Sequence, residues 1–146
     1  MTNIAIIGAT GNVGRKTLEV IEKKDIKFNN LFLVASSNSA GKKISFKGKD
    51  YEVHDLEKYD FSNANITFFA AGGKISEKYA EKAAEHTTVI DNSSFFRMDP
   101  DVPLIVPQVN AANIKNIKKN IIANANCSTI QMVLALKPLH LSLIHI

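Results

Sequence analysis

The sequence predicts an open α/β domain in which a mostly parallel sheet is covered by helices on both faces. Two observations support this prediction. Short, fully apolar runs rich in β-formers alternate with segments of helical character, a pattern typical of parallel strands buried on both faces. A glycine-rich segment also follows the first run directly and opens the first helical segment, as in a nucleotide-binding βαβ unit.

The predicted elements are short strands separated by longer helices. Strands are expected at residues 4–7, 31–35, 66–70, 88–91, 104–106 and 120–123. Helices are expected at about residues 12–24 and 75–86, and a last apolar helix is expected to end near Lys137 and Pro138. Residues 42–60 are polar and rich in turn formers, which predicts a hairpin outside the main sheet. Three prolines within residues 97–110 exclude a regular helix and predict an extended loop.

Composition and charge exclude several classes of function. A chain of 146 residues, 45% hydrophobic and 22% charged, is typical of one soluble globular domain. The net charge of +4 comes from scattered residues, which argues against nucleic-acid binding. The longest apolar stretch is interrupted by a lysine, a proline and two histidines, so no membrane span is expected. One cysteine, no spaced cluster of histidine and cysteine, and no signal-peptide pattern predict a cytoplasmic protein without disulfide or metal.

The segment GATGNVG, residues 8–14, predicts a dinucleotide site. It places Gly8, Gly11 and Gly14 between the first strand and the first helix. Glycine permits the tight turn and lets backbone N–H groups approach a pyrophosphate, while the helix N-terminus attracts negative charge. A simple helix-entry turn is the alternative, but the position within a βαβ unit favours a Rossmann-like, doubly wound domain.

The end of the second predicted strand favours NADP over NAD. A domain that prefers NAD usually places an Asp or Glu there for the ribose 2′-hydroxyl. The segment that follows, ASSNSAGKK, contains no carboxylate. Neutral donors from Ser36 to Ser39 and the nearby lysines Lys42 and Lys43 would instead meet a 2′-phosphate. The alternative is a turn that contacts no ligand.

Cys127, the single cysteine, lies where an apolar strand passes through a polar loop into a helix. Lone intracellular cysteines are most often small buried hydrophobes. A helix N-terminus, however, favours the reactive thiolate form of a cysteine, and in open α/β sheets such strand ends face the ligand crevice. The polar neighbours Asn124, Asn126, Ser128 and Thr129 could cap the helix or bind an oxyanion. A thiolate beside a nicotinamide suggests aldehyde chemistry through a thioester.

Four segments together resemble aspartate-semialdehyde dehydrogenase, an NADP-dependent family that reduces aspartyl phosphate in the biosynthesis of lysine, methionine and threonine. They are GATGNVG (8–14), SAGK (39–42), IDNSSFFRMDPDVPLIVPQVN (90–110) and IIANANCSTIQMVLALKPLH (121–140). The last two are long and specific to the family. The resemblance runs from about Asn3 to His140.

The resemblance implies roles for individual residues. Cys127 matches the nucleophile that forms the acyl thioester, and Arg97 matches the arginine that binds the phosphate group. A guanidinium fork suits a phosphate oxyanion, although an ion pair with Asp99 or Asp101 would otherwise be the expected role of Arg97. Asn126 is a further candidate for substrate binding. The implied nucleotide contacts, together with the glycines, are Thr10, Gly11, Asn12, Val13, Ser36, Asn38, Ser39, Ala71 and Gly72.

Two positions depart from the family pattern. The family commonly has arginine where this chain has Asn38, which removes a positive charge from the expected 2′-phosphate site. The family often has S-A-G-S where this chain has AAGG at 70–73, and Ala71 and Gly72 would still let the backbone line the cofactor cleft.

Family members are more than twice as long as this chain. The remainder is expected to carry the catalytic histidine, a substrate-positioning glutamine, a carboxylate-binding arginine and the domain that forms a homodimer. Residues 1–140 are thus expected to be an NADP-binding domain that is inactive alone. The four histidines are expected to be surface or helix-end residues. The last six residues, LSLIHI at 141–146, match a translated transposon end used in sequencing libraries and are expected to be a non-native tail.

Four alternatives compete with this interpretation. A glyceraldehyde-phosphate dehydrogenase would be expected to show S-C-T-T-N around its cysteine, where this chain has NCSTI at 126–130. N-acetyl-glutamyl-phosphate reductase shares the fold and cysteine mechanism but fits residues 91–104 and 126–131 less well. A short-chain reductase would need Tyr-x-x-x-Lys, and no tyrosine here has lysine four residues later. A non-catalytic nucleotide-binding module, with Cys127 structural, is the alternative of a different class.

Overall fold

A computed structural model describes residues 2–143 and contains one eight-stranded sheet within that range. The strands are β1 (Ile4–Ile7), β2 (Leu31–Ala35), β3 (Lys43–Phe46), β4 (Lys49–Asp55), β5 (Ile66–Phe69), β6 (Thr88–Asp91), β7 (Leu104–Ile105) and β8 (Ile121–Asn124). The helices are α1 (Asn12–Lys23), α2 (Gly73–Ala84), α3 (Pro107–Asn110) and α4 (Cys127–Leu143). Short 3₁₀ turns fill several of the connections.

The strand order is β3-β4-β2-β1-β5-β6-β8-β7, and every pair except β3 with β4 is parallel. From β1 the chain passes through α1 to β2 on one side and later returns to β5 on the other side. In open α/β sheets, ligands bind where the strand order reverses in this way, outside the carboxyl ends of the strands. The predicted doubly wound fold is confirmed, and β1 marks its ligand-binding crevice.

Helices cover both faces of the sheet, as predicted. Successive side chains of a strand point to opposite faces, and two separate cores result. On one face α1 packs Leu18 and Ile21 against β1 and β2. On the other face α2 packs Ala80 and Ala83 against Phe69 and its neighbours.

The expected hairpin forms, but its placement outside the main sheet was wrong. Strand β4 pairs in parallel with β2, from Leu33 with Val53 to Ala35 with Asp55. Antiparallel β3 then forms the edge. One face of β4 is exposed, so its sequence KDYEVHD is polar. A search for continuous apolar runs therefore does not identify it as a strand of the main sheet.

Two further expectations need correction. Residues 97–110 include the short helix α3, which begins at Pro107. Proline is tolerated at the first position of a helix because the backbone N–H there makes no hydrogen bond within the helix. Helix α4 does not end at Pro138 but continues to Leu143. A proline within a helix costs about 3 kcal/mol yet has a compatible φ, so the helix can continue past it. Residues 144–146 of the expected non-native tail lie outside the described residues.

Part of the sheet lacks a covering layer within residues 2–143, and α4 is covered only in part, by α3. On the α1 side, Phe68 and Ile90 remain half-buried and, with Val13 and Val20, line an apolar groove of about 400 Å³. Helix α4 has no buried residue. Among the described helices, none combines the length and apolarity that crossing a membrane requires.

Candidate active site

The turn after β1 is built by close backbone packing. Gly8 has φ +85°, which disfavours other residues, and its N–H donates to Val34 O over 2.8 Å. Gly14, in the first turn of α1, leaves no room for a side chain: a Cβ there would lie 2.3 Å from Gly8 O. No side chain caps the start of α1 and its first turn holds no acidic residue, so its N–H groups remain available to an anion.

A cleft of about 360 Å³ opens beside this turn, between the carboxyl ends of β1, β2 and β5. Five of the predicted cofactor contacts line it, namely Gly8, Thr10, Gly11, Ser36 and Ala71. The others lie next to it along the chain. Asn12 and Val13 begin α1, Asn38 and Ser39 belong to the 3₁₀ turn after Ser36, and Gly72 precedes α2 with φ +88°.

A carboxylate stands beside the serine turn, although the segment after β2 contains none. Asp55 ends β4, and because β4 pairs with β2, it lies across from Ala35. Its Oδ1 accepts hydrogen bonds from Ser37 Oγ at 3.1 Å and from the Glu57 N–H at 3.1 Å. Asp55 was not predicted from the sequence, because it approaches the turn only through the parallel pairing of β4 with β2.

Arg97 lies in a 3₁₀ turn after β6 and is half-buried. Its Nε donates to Asn124 O at 3.0 Å and its Nη2 donates to Asn92 O at 3.2 Å. The alternative of an ion pair with Asp99 or Asp101 was wrong, since within residues 2–143 no carboxylate pairs with Arg97. The arginine therefore faces the edge of the sheet next to β8.

The two aspartates pair with lysines instead. Lys119 Nζ lies 3.0 Å from Asp99 Oδ2, and Lys118 Nζ lies 2.7 Å from Asp101 Oδ1. The Asp101 N–H and then Lys119 lower the pKa of Asp99 from its usual value. These pairs lie on the exposed surface, where ion pairs contribute little to stability.

A buried carboxylate supports the loop that carries Arg97. Asp91, fully buried at the end of β6, accepts hydrogen bonds from Ser76 Oγ at 2.7 Å and from Ser93 Oγ at 2.6 Å. It also accepts one from the Ser93 N–H, and Ser93 Oγ in turn accepts one from the Phe95 N–H. A buried charge is tolerated only with such partners. Asp91 was not predicted from the sequence, where its position at a strand end was the available signal.

Cys127 is exposed and is the first residue of α4, as predicted. Within residues 2–143 its side chain is not that of a buried hydrophobe. Asn126 Oδ1 accepts a hydrogen bond from the Ser128 N–H at 2.9 Å, which caps the helix. Cys127 Sγ lies 4.0 Å from the same oxygen. The thiol is thus presented at a capped helix N-terminus, at the carboxyl edge of the sheet.

Metal ligands are not grouped in this part of the molecule. Within residues 2–143, no cluster of three or more His, Cys, Asp or Glu side chains could hold a metal ion.

The chain matches a family model described as the semialdehyde dehydrogenase NAD binding domain over residues 3–117. A dinucleotide-type cleft at the carboxyl edge of the sheet is what that description leads one to expect. The chain therefore belongs to the semialdehyde dehydrogenase family, of which it contains the NAD binding domain.

Curated relatives and solved structures agree with this assignment. The chain is 53% identical over 140 residues to aspartate-semialdehyde dehydrogenase of Aquifex aeolicus and 50% identical over 140 residues to that of Shewanella violacea. Each match covers 94% of this chain but 41% of the relative, so the chain spans about two fifths of their length. Aspartate semialdehyde dehydrogenase II of Vibrio cholerae, complexed with ASA, is similar with a TM-score of 0.93 and 49% identity, over 96% of this chain and 46% of that one.

More distant structures share the fold. A Candida albicans aspartate semialdehyde dehydrogenase with NADP matches 95% of this chain and 46% of that chain, with a TM-score of 0.69 and 29% identity. RSP, complexed with β-NADH, matches with a TM-score of 0.58 at 17% identity, which shows the fold alone.

Gly14→Ala is expected to destabilise the domain by about 3 kcal/mol, because its Cβ would meet the Gly8 carbonyl and force the backbone apart. The matched control is Gly73→Ala, in the first turn of α2, where the nearest atom to an added Cβ is 4.0 Å away. That change should leave stability unchanged or raise it by up to about 1 kcal/mol. Urea unfolding measures both; equal stability of the Gly14→Ala variant and the native chain would contradict the packing described.

Proposed function

We propose that this chain is the nucleotide-binding part of an NADP-dependent aspartate-semialdehyde dehydrogenase in which Cys127 is the thioester-forming nucleophile. The observation that carries the proposal is the placement of an exposed cysteine at the start of α4, on the same sheet edge as the glycine turn. The curated names of the relatives support the substrate, aspartyl phosphate reduced to aspartate semialdehyde. These names also favour the aspartate enzyme over an N-acetyl-glutamyl-phosphate reductase.

The cleft suits a dinucleotide. At Gly8 and Gly14 an added side chain would collide with backbone atoms. Because both positions are glycine, no side chain covers the N–H groups of the turn, and they stay accessible to a phosphate. Thr10 to Val13 would hold the pyrophosphate at the start of α1, and Ala71 and Gly72 would line the opposite wall. The bound cofactor would supply the hydride that takes the thioester to the aldehyde.

The preference for NADP over NAD would depend on two opposing effects at the serine turn: neutral hydrogen-bond donors attract a 2′-phosphate, and a nearby carboxylate repels it. Ser36, Asn38 and Ser39 offer hydrogen bonds to a 2′-phosphate. Asp55 opposes it, because its carboxylate lies one hydrogen bond from Ser37 in the same turn. We therefore expect a preference for NADP that is weaker than an arginine at position 38 would give.

Cys127 would act on the acyl carbon. Its thiolate adds to the carbonyl of the acyl phosphate, the carbon–oxygen bond to phosphate breaks, and phosphate leaves with the bonding electrons. Arg97 donates two of its five N–H groups to backbone carbonyls, and the other three can donate hydrogen bonds to the phosphate oxygens. Asn126, whose oxygen caps α4, would keep the sulfur at the helix start rather than bind substrate through that oxygen.

The described residues supply the nucleophile but no general base next to it. His54 lies on β4, and His86 follows α2 at the opposite edge of the sheet. His140 is thirteen residues beyond Cys127 in α4, about 20 Å along a helix. We therefore propose that residues 1–140 alone do not turn over substrate. The resemblance to the family further implies that the whole enzyme is a cytoplasmic homodimer.

Iodoacetamide should alkylate Cys127 of the native chain at neutral pH roughly tenfold faster than in the urea-unfolded chain, because the thiol lies exposed at the start of α4, where a helix N-terminus favours negative charge on an attacking nucleophile. Mass spectrometry follows the label, and Cys127→Ser should abolish it. Equal or slower alkylation of the native chain would support a non-catalytic nucleotide-binding module instead.

Asp55→Asn should raise the affinity for NADP over NAD by about fivefold, since it removes one negative charge near the 2′-phosphate while the amide oxygen still caps the following turn. Titration calorimetry with both cofactors measures the ratio. The matched control is Asp60→Asn, which removes the same charge from another 3₁₀ cap, one that accepts from the Ser62 N–H. An unchanged ratio in the Asp55→Asn variant would contradict the assignment of this turn.

A further inference from the structure

Two asparagines connect the ends of neighbouring strands. β6 and β8 pair in parallel up to Asp91 with Ala123, so Asn92 and Asn124 come next in register and face the same side. Asn124 Nδ2 donates a hydrogen bond to Asn92 Oδ1. Both residues are half-buried and line the edge of the apolar groove beside α1.

Arg97 ties the same two positions through their backbones. Its planar guanidinium donates from Nε to the carbonyl oxygen of Asn124 and from Nη2 to that of Asn92. A planar fork with fixed donor directions restrains two acceptors relative to each other. The side-chain pair and the Arg97 Nε bond form two links between the loop after β6 and the end of β8, and the Nη2 bond closes the loop on itself.

These links lie three residues before the nucleophile. Helix α4, which carries Cys127, has no buried side chain and packs against the short helix α3. Its direction therefore depends on how Asn124 and the buried Ala125 are fixed. The fully buried Asp91 holds the loop after β6 in place through hydrogen bonds with Ser76 and Ser93.

We propose that Asn92, Asn124 and Arg97 form a latch, and that Asn124 and Asn92 are positioning residues that hold the start of α4, and with it the thiol of Cys127, against the sheet. The proposal rests on the proposed role of Cys127 as nucleophile. It gives Arg97 a second task besides phosphate binding. It also assigns a task to two asparagines that touch neither the thiol nor the nucleotide cleft described above.

The test uses Asn92→Leu, Asn124→Leu and the double variant, since leucine matches asparagine in shape but removes the amide pair. The control is Thr88→Val, which removes the bond from Thr88 Oγ1 to Asn120 Oδ1. That bond joins the same two strands at their opposite ends. Each variant is measured for urea unfolding and for the rate of Cys127 alkylation across a range of pH.

Each asparagine variant should slow alkylation at neutral pH by roughly fivefold, the order of one net hydrogen bond. The double variant should be no slower than either single one, because both remove the same contact. Thr88→Val should lose similar stability and leave the alkylation rate within about twofold of the native chain. A role limited to stability would not produce this difference between the two strand ends.

Two contrary results have separate meanings. If the native chain already alkylates no faster than the unfolded chain, the nucleophile itself is wrong and the proposed function fails. If the native chain is fast and the asparagine variants are equally fast, or Thr88→Val slows alkylation as much, the latch is wrong and the nucleophile stands.

Discussion

The carboxyl edge of the sheet depends on the contact between α1 and the turn after β1. At Gly14 the helix lies so close to the Gly8 carbonyl that no side chain would fit between them. Gly8 in turn packs against the backbone of Ala70, just after β5. Because both contacts are to backbone atoms, the turn cannot yield by rotating a side chain. This packing leaves the first N–H groups of α1 facing a cleft instead of a protein surface.

Along the same edge the strand ends divide into two chemical regions. The ends of β1, β2 and β5 surround the cleft, whose lining includes glycines, alanines, Thr10 and Ser36, and Asp55 at the end of β4 places a carboxylate next to the serine turn. The ends of β6 and β8 present Arg97, the paired asparagines and Cys127. A dinucleotide across the first region would direct its reactive end toward the second, which is the arrangement a thioester reductase requires.

Much of this fold was predictable because its signals are local. Fully apolar runs such as residues 4–7 and 31–35 identify buried parallel strands, and the glycine spacing identifies the turn between β1 and α1. Cys127 was found for the same reason, since a strand-to-helix transition is visible in the sequence. What could not be predicted is non-local: Asp55 approaches the serine turn only through the pairing of β4 with β2, and the partners of Arg97 are backbone atoms, which carry no sequence signal. The predicted end of α4 near Pro138 was wrong, because the missing N–H of a proline weakens a helix without always ending it.

The most direct test of the account asks whether nucleotide and nucleophile share one site. Alkylation of Cys127 would be measured with NADP, and with 2′-phospho-ADP-ribose, which has the same adenosine and phosphates but no nicotinamide. The account predicts that both bind in the cleft and that NADP alone changes the alkylation rate, since its nicotinamide reaches the start of α4. An alkylation rate indifferent to saturating NADP would contradict it, because the cysteine would then lie apart from any cofactor the cleft binds.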